Sequence, residues 1–250
     1  MNIAIITPIY RHTQHLPRFL GSVRWQLEAG DELIFCCERD EYTALEALLA
    51  SLGVKPEDNI RLFANKNTPA TCASARNEAV SHAGQAIDWL KFLDADDLLA
   101  PFALSTFRQM TIEDRMQCVG GAQLKVVNGK VMGLQIPKPQ LMDRVNPMVP
   151  SMCFVRAAAF AKAGGFDNRI GFEEDWDLWL KLRREYGIEG FGIMPQPLCY
   201  YTIDEAERAA KRQPSHLVED PDSKAAEGAE PKMIDVREYL AKVYGIKPDR

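Results

Sequence analysis

The first half of the chain alternates between short apolar runs and segments whose hydrophobic residues recur at helical spacing. The apolar runs predict four strands, at Asn2–Ile6, Glu32–Cys37, Ile60–Ala64 and Ile87–Leu93. The helical spacing predicts three helices between them, at His15–Glu28, Tyr42–Leu52 and Ala73–Ala83. Strands that alternate with helices favour βαβ units, so we expect an α/β fold with a mostly parallel central sheet and flanking helices.

The second half shows a different pattern. Strand-like runs at Gln117–Val127 and Lys130–Gln135 flank Asn128-Gly129, and an Asn-Gly pair in this position is typical of a β-hairpin. The rest predicts a proline-rich loop, a short helix, an amphipathic helix and a strand, at 136–150, Arg156–Ala163, Glu173–Tyr186 and Pro197–Ile203. The hairpin and the loop add a small irregular region to the predicted sheet.

The composition changes after residue 203. The chain divides into a domain at 1–203, with halves at 1–97 and 98–203, and a C-terminal helical extension at 204–250. Within the extension, Glu205–Arg212 predicts a charged helix and Met233–Tyr244 predicts a terminal amphipathic helix. The linker between them, Gln213–Pro231, has few apolar residues, so we expect it to stay outside the core and a chain without residues 213–250 to remain folded. Docking of the helix at Met233–Tyr244 on the domain or on a partner is the alternative.

The composition excludes several classes of protein. With 46% hydrophobic and 26% charged residues and a net charge of −5, the chain is typical of soluble globular proteins and not of general nucleic-acid or anionic-membrane binders. It has no apolar run of transmembrane length and no signal-peptide pattern. The six cysteines form no C-x-x-C pair, which favours buried thiols in a reducing compartment over a zinc ribbon or disulfide scaffold. We therefore expect a cytoplasmic protein without an integral membrane segment.

Three carboxylates lie on a tight turn directly after the fourth predicted strand, at Asp94, Asp96 and Asp97. A hard divalent cation such as Mg²⁺ or Mn²⁺ would relieve their mutual repulsion. Because ligands of open α/β sheets bind at the carboxyl ends of strands, Thr7–Tyr10 and Glu38–Asp40 are expected at the same edge. A solvated acidic loop that caps the next helix is the alternative interpretation of the turn.

A second cluster of acidic and aromatic residues opens the helix predicted at Glu173–Tyr186. A carboxylate beside aromatic surface in a cleft has a raised pKa and acts well as a base. This makes Glu174, Asp175 and Asp177 candidates, and tryptophan faces such as that of Trp176 are platforms for sugar rings. The alternative is an acidic helix N-terminus with packed tryptophans.

A third candidate is Arg76, which lies on a predicted helix built largely from small residues. An arginine in that setting indicates that the chain passes close to a ligand. A purely structural ion pair with Glu78 or Glu32 is the alternative.

Taken in chain order, these segments resemble a family-2 glycosyltransferase of the GT-A fold. The resemblance covers residues 2–203 and is carried by five segments: Ile6–Tyr10, Ser74–Ala79, Leu93–Asp97, Glu174–Trp179 and Pro197–Tyr201. It implies a Rossmann-like GT-A sheet with an added hairpin, an acceptor-side region and a C-terminal helical tail. It also implies a metal-dependent enzyme that transfers a sugar, with inversion, from a nucleoside-diphosphate sugar to a hydroxyl.

The resemblance assigns residues to the donor site. It implies that the nucleotide sugar is bound by Thr7, Pro8, Tyr10, Glu38, Asp40, Arg76, Asp94, Ala95 and Asp96. Asp96 would hold the Mn²⁺ or Mg²⁺ that bridges the diphosphate, and His216 is a second candidate metal ligand. The family usually has an acidic pair after the second strand, whereas this chain has Glu38-Arg39-Asp40, which leaves open whether Glu38 or Asp40 contacts the nucleotide.

On the acceptor side, the resemblance makes Asp175 the general base and places Glu174, Trp176 and Asp177 around the acceptor. It implies a donor linked to UDP and an acceptor that is a glycan or another hydroxyl compound. The net charge disfavours a nucleic-acid acceptor only mildly, so a surface glycan, a protein side chain and modified DNA all stay open as acceptors.

Two other functions fit parts of the pattern. A metal-dependent sugar-phosphate nucleotidyltransferase usually has a glycine-rich loop after its first strand, and Thr7–His12 contains no glycine. A non-catalytic carbohydrate-binding relative would have no need of Asp94, Asp96 and Asp175, which are all present. The pattern therefore favours the glycosyltransferase.

Overall fold

The computed structural model describes residues 1–11, 13–67, 70–110, 112–203, 217–222 and 232–249. A mixed nine-stranded sheet lies at its centre. Its strands are β1 (Ile3–Ile9), β2 (Glu32–Cys37), β3 (Ile60–Ala64), β4 (Trp89–Phe92), β5 (Leu98–Leu99), β6 (Cys118–Val127), β7 (Lys130–Gln135), β8 (Cys153–Arg156) and β9 (Phe191–Ile203). Two short strands, β10 (Leu217–Glu219) and β11 (Met233–Asp235), form a separate antiparallel pair.

The strands lie in the order β3-β2-β1-β4-β8-β6-β9-β5, and β7 pairs with the second half of β6. β1 to β4 run parallel, as predicted, and β1 and β4 are buried nearly throughout, which is typical of a sheet covered on both faces. β8 runs antiparallel to β4 and β6, and β5 runs antiparallel to β9. β5 and β8, of two and four residues, were not predicted because such short runs carry no readable periodicity.

The described α-helices are α1 (Leu16–Val23), α2 (Tyr42–Ser51), α3 (Cys72–Ser81), α4 (Ala103–Gln109), α5 (Ala157–Lys162), α6 (Glu174–Tyr186) and α7 (Val236–Tyr244). α1 is shorter than predicted, because the chain continues as a 3-10 turn at Arg24–Gln26. The helix predicted at Glu205–Arg212 lies outside the described residues. Over the described ranges, no helix has both the length and the apolar character that a bilayer crossing requires.

The predicted hairpin is confirmed between β6 and β7. Asn128 and Gly129 both have positive φ, at 47° and 77°. A two-residue turn of this kind requires positive φ at both central positions, which asparagine and glycine tolerate better than other residues. The local sequence therefore determines this turn.

The described parts of the C-terminal extension pack into the same hydrophobic core as the rest of the chain. Val218, Ile234, Val236 and Leu240 are each at most 4% exposed. The expectation that residues 213–231 stay outside the core is therefore wrong at Val218. A single apolar residue in a polar segment carries little sequence signal, and here it is buried because β10 pairs with β11.

Candidate active site

The carboxyl ends of β1 and β4 bring two predicted segments together. The strands are adjacent and parallel, with Ile6 beside Phe92, and the Leu93 backbone N–H donates to the Ile6 carbonyl at 3.1 Å. The end of β1 and the acidic turn after β4 therefore leave the sheet side by side. β2 is the next neighbour of β1, so Glu38 reaches the same edge of the sheet.

Three predicted donor-site residues at the end of β1 have different environments. Thr7 is fully buried, and in the described structure its Oγ1 has no hydrogen-bonding partner. Pro8 is half-buried, whereas Tyr10 is exposed, with the Arg11 guanidinium 5.0 Å from the centre of its ring. Of these three residues, Tyr10 therefore has the exposed aromatic ring on which a nucleobase can stack.

After β2, the two acidic candidates differ in burial. Glu38 is half-buried, and this burial together with the neighbouring Asp40 and Glu41 carboxylates raises its pKa above the usual range. Asp40 lies in an exposed turn. The geometry therefore favours Glu38 as the nearer of the two to the sheet edge.

Asn65, directly after β3, was missed in the sequence analysis. Its backbone N–H donates to the Cys37 carbonyl at 2.7 Å, and its side-chain Nδ2 donates to Ser74 Oγ at 2.8 Å. Asn65 therefore fastens the end of β2 to the first turn of α3, the helix that carries Arg76. An asparagine at the end of a predicted strand was the available signal.

Arg76 joins the donor-side motif to the acceptor-side motif. It is 3% exposed, its Nη2 donates to Asp94 Oδ1 at 2.7 Å, and its Nη1 donates to Glu174 Oε1 at 2.5 Å. Burial by itself lowers the pKa of Arg76, but the Asp94 and Glu174 carboxylates outweigh burial and raise the pKa above its usual value. The guanidinium therefore stays charged and holds a carboxylate on each side.

The alternative partners of Arg76 are engaged elsewhere. Glu78 pairs with Lys66 at 3.0 Å, and Glu32 pairs with Arg61 at 2.6 Å. The structure therefore rejects the local ion pair that the sequence left open and replaces it with contacts between distant motifs.

The acidic turn after β4 concentrates negative charge. Asp94 and Asp96 are half-buried, Ala95 between them is buried, and Asp97 is buried and accepts a hydrogen bond from the Thr202 backbone N–H at 3.1 Å. Burial, together with the Asp94 and Asp96 carboxylates, raises the pKa of Asp97 well above its usual range. A cation bound at this turn would relieve that repulsion.

Lys91 and Ser151, which the sequence analysis missed, connect this turn to the sheet through hydrogen bonds. Lys91 in β4 is fully buried and donates hydrogen bonds to the carbonyls of Phe92 and Ser151. Ser151 Oγ in turn accepts a hydrogen bond from the Asp94 backbone N–H at 3.3 Å. The signal for Lys91 was visible, because a lysine inside an apolar strand is rare unless its ammonium has partners.

The residues at the turn fit a hard divalent cation held jointly by the protein and a ligand. Across the part of the chain that the structure covers, no three His, Cys, Asp or Glu side chains form a complete metal site. Mg²⁺ usually binds through one or two carboxylates together with substrate phosphates, and Asp96 beside Asp94 supplies such a donor set. His216, the second candidate ligand, lies outside the described residues.

Asp175 lies in the first turn of α6 and is 7% exposed. Its Oδ1 accepts hydrogen bonds from Asn146 Nδ2 and from the Trp176 backbone N–H, both at 2.9 Å. Burial, followed by the charge of Glu174, raises the pKa of Asp175 to about 7, although Asn146 and Arg76 act in the opposite direction. A pKa near neutrality suits a general base. Nothing in the proline-rich loop at 136–150 indicated Asn146 beforehand.

Trp176 and Asp177, which the resemblance places around the acceptor, are buried and bind other parts of the chain. Both are 1% exposed; Trp176 Nε1 donates to the Met142 carbonyl at 2.8 Å, and Asp177 Oδ1 accepts from the Tyr244 hydroxyl at 2.6 Å. Successive helical residues point about 100° apart, so four consecutive side chains do not share one cleft. Of the acceptor-side group, the partly buried Glu174 remains beside Asp175 and Arg76.

The mixed sheet with its flanking helices places the chain in the α/β class. The chain belongs to the glycosyltransferases of family 2, because the sequence model described as "Glycosyltransferase like family 2" matches residues 2–213. An uncharacterized glycosyltransferase of Haemophilus influenzae is 25% identical over 216 residues, which are 80% of this chain and 68% of that protein.

Solved glycosyltransferases share the fold. S. aureus TarS 1–349, solved in complex with UDP-GlcNAc, superposes with a TM-score of 0.66 at 15% identity, over 85% of this chain and 62% of that one. The mannosyltransferase PcManGT of Pyrobaculum calidifontis, solved with GDP-Man and Mn²⁺, superposes with a TM-score of 0.58 at 12% identity. The match covers 85% of this chain and 65% of that one. The chain thus spans less than two thirds of each of these proteins, and at this identity the likeness establishes the GT-A fold alone.

Proposed function

We propose that this chain is a metal-dependent, inverting glycosyltransferase. Its donor is a nucleoside-diphosphate sugar whose nucleotide is UDP, and its acceptor is the hydroxyl of a glycan or of another compound. The observation that carries the proposal is the position of Arg76, whose buried guanidinium binds Asp94 of the donor motif and Glu174 beside Asp175. A single displacement requires the donor sugar and the acceptor base to be held at a fixed separation. Arg76 provides that link.

In the proposed donor site, Tyr10 and Glu38 contact the nucleoside, Thr7 and Pro8 line its pocket, and Asp94 contacts the ribose or sugar. The similarity to TarS, solved with UDP-GlcNAc, supports UDP as the nucleotide. Asp96 is proposed to hold Mn²⁺ or Mg²⁺, supported by the presence of Mn²⁺ with GDP-Man in PcManGT. Such a cation would neutralise charge on the diphosphate leaving group.

On the acceptor side, Asp175 is proposed to take the proton of the attacking hydroxyl. The anomeric carbon passes through an oxocarbenium-like state, as in glycoside hydrolysis, so the hydroxyl attacks the face opposite the departing diphosphate and the configuration inverts. The Asn146 amide orients the Asp175 carboxylate, and burial together with the charge of Glu174 keeps the pKa of Asp175 raised. The base is therefore ready to accept a proton near neutral pH.

We further propose that the enzyme works in the cytoplasm. All six cysteines are free thiols in the structure, five of them buried. Unpaired cysteines of this kind suit a reducing compartment.

The experiment that tests the function is a donor screen. The full chain is incubated with UDP- and GDP-sugars and Mn²⁺, with and without an oligosaccharide acceptor mixture, and released nucleoside diphosphate is measured against D175N. Release that depends on a particular sugar nucleotide and disappears in D175N supports the proposal. Release of pyrophosphate from a nucleoside triphosphate and a sugar phosphate would instead identify a nucleotidyltransferase.

A further inference from the structure

The C-terminal segment 232–249 contacts the residues on both sides of Asp175. On the N-terminal side, the Arg237 guanidinium binds both carboxylate oxygens of Glu173, at 2.8 to 3.2 Å. Glu173 has a φ of 58°, in the left-handed region that a residue with a side chain seldom adopts. Such a conformation persists only where the surroundings fix it, and the ion pair with Arg237 is one of the contacts that Glu173 makes there.

On the C-terminal side, Tyr244 at the end of α7 donates its hydroxyl proton to Asp177 Oδ1 at 2.6 Å. Lys181 lies 2.8 Å from Oδ2 of the same carboxylate, which is almost fully buried. A buried carboxylate requires such partners, because water no longer solvates it. The ring of Tyr244 also packs beneath the Arg184 guanidinium, at 4.7 Å.

The same segment binds the loop that carries Asn146. The Lys247 backbone N–H donates to the Asp143 carbonyl at 2.9 Å, and the Asp249 N–H donates to the Arg144 carbonyl at 2.7 Å. Asn146 follows two residues later and donates to Asp175. The segment therefore binds both sequence neighbours of the first turn of α6 and the loop that supplies the hydrogen-bond donor of Asp175.

The segment also makes ion pairs that involve neither α6 nor the loop that carries Asn146. The Asp220 carboxylate, next to β10, binds Lys242 of α7 at 2.7 and 2.8 Å and Lys232 at 3.3 Å. The pairing of β10 with β11 and the burial of Val236 and Leu240 hold α7 on the hydrophobic core, so the Lys242 ion pair is one contact among several. The attachments near Asp175 are thus separate from the contacts that keep the segment folded.

We propose that residues 232–249 act as a clamp on the proposed general base, with Arg237 and Tyr244 as positioning residues. The clamp fixes the turn at 173–177 from both ends and steadies the Asn146 loop, so that the Asp175 carboxylate keeps one orientation. This inference rests on the proposed role of Asp175. The positioning residues lie far from Asp175 in sequence, since Arg237 follows its partner Glu173 by 64 residues.

The test uses point variants of the full chain, because deletion of the segment removes core residues. R237Q removes the positive charge that pairs with Glu173, whereas R237K retains a cation at that position. Y244F removes the hydroxyl that donates to Asp177 and keeps the ring. K242Q is the matched control, since it breaks an ion pair of the same helix while Asp220 keeps Lys232. Two measurements are made: hydrogen exchange of the peptide covering 172–178, and kcat with the dissociation constant of UDP.

We expect R237Q and Y244F to accelerate exchange of that peptide at least tenfold and to lower kcat at least tenfold, with UDP affinity within twofold of wild type. R237K should recover part of both losses, and K242Q should change neither. Unchanged exchange in R237Q and Y244F overturns the clamp, and so does an equal effect of K242Q. If no sugar is transferred by the wild-type chain, the proposed function fails, but the exchange experiment still decides whether the segment holds the turn.

Discussion

Asn146 Nδ2 donates a hydrogen bond of 2.9 Å to Oδ1 of Asp175, from a loop that precedes Asp175 by 29 residues. This contact favours the ionised carboxylate and so opposes the burial that raises the pKa of Asp175 to about 7. The balance of burial and hydrogen bonding therefore sets the pH at which the Asp175 carboxylate ionises and the proposed base becomes active.

Replacement of Asn146 by alanine should move the acid limb of the kcat profile to higher pH. The ionised form of Asp175 is the active one, so kcat of the wild type should rise with pH through about 7 and then level off. A hydrogen bond to a charged group is worth about 1.5–3 kcal/mol, which corresponds to a shift of about one pH unit or more. Kinetics between pH 5 and pH 9 measure it, and an unmoved midpoint would contradict the contact.

Asp175→Asn should lower kcat for transfer by about 10²–10⁴-fold, because the amide keeps the shape of the carboxylate and lacks its basicity. Donor affinity, measured by calorimetry with UDP, should be nearly unchanged, since the proposed role of Asp175 is toward the acceptor and not toward the nucleotide. Proton NMR of the wild-type product should show the anomeric configuration opposite to that of the donor. A variant that transfers at the wild-type rate would remove Asp175 from the mechanism, and retention of configuration would exclude a single displacement.

Asp96→Asn should abolish transfer and weaken UDP binding chiefly when Mn²⁺ is present. The reason is that Asp96 lies in the half-buried acidic turn with Asp94 and Asp97, whose carboxylate charge a cation relieves. Calorimetry of UDP with Mn²⁺ and with EDTA measures the difference without relying on activity. Asp114→Asn, at an exposed acid in the loop between α4 and β6 and outside the proposed site, is the control. Full wild-type activity in excess EDTA is the outcome that rules out the metal.

Arg76→Ala should destabilise the protein as well as weaken donor binding. The substitution leaves Asp94 and Glu174 without their shared cation, and breaking a buried ion pair by removing one partner costs about 3–5 kcal/mol. Because Asp94 is 35% exposed, we expect the lower end of that range. Urea unfolding measures the loss, with Arg61→Ala as the control at a more exposed pair. Equal losses for the two variants would show that Arg76 has no special structural role.

Deletion of residues 232–250 should give an unstable or insoluble protein. The segment contributes Ile234, Val236, Tyr239, Leu240 and Ile246 to the core, and each buried apolar side chain stabilises the fold by about 1.5–3 kcal/mol. Their sum is comparable with the entire stability of a typical domain, about 5–15 kcal/mol. Thermal unfolding and size-exclusion chromatography check the result. A soluble deletion variant with an unchanged melting temperature would restore the sequence-based expectation of a dispensable extension.

The sequence alone determined the features that depend on neighbouring residues. Apolar runs placed β1 to β4, the pair Asn128-Gly129 placed the hairpin, and the acidic turn fell at a strand end because parallel strands bring their carboxyl ends to one edge. The order of the motifs was sufficient to indicate the family that the comparison confirmed. These properties are local or topological, so a linear pattern contains them.

Only the tertiary structure decided which side chain faces which partner. Arg76 binds Glu174 across 98 positions, Asn146 binds Asp175 from an unpatterned loop, and Asp177 turns away to Tyr244. The acidic helix start looked uniform in sequence, but successive residues of a helix point in different directions, so Glu174 meets Arg76, Asp175 meets Asn146 and Asp177 meets Tyr244. The polar composition of the C-terminal extension suggested that it could be removed, but the extension supplies part of these contacts.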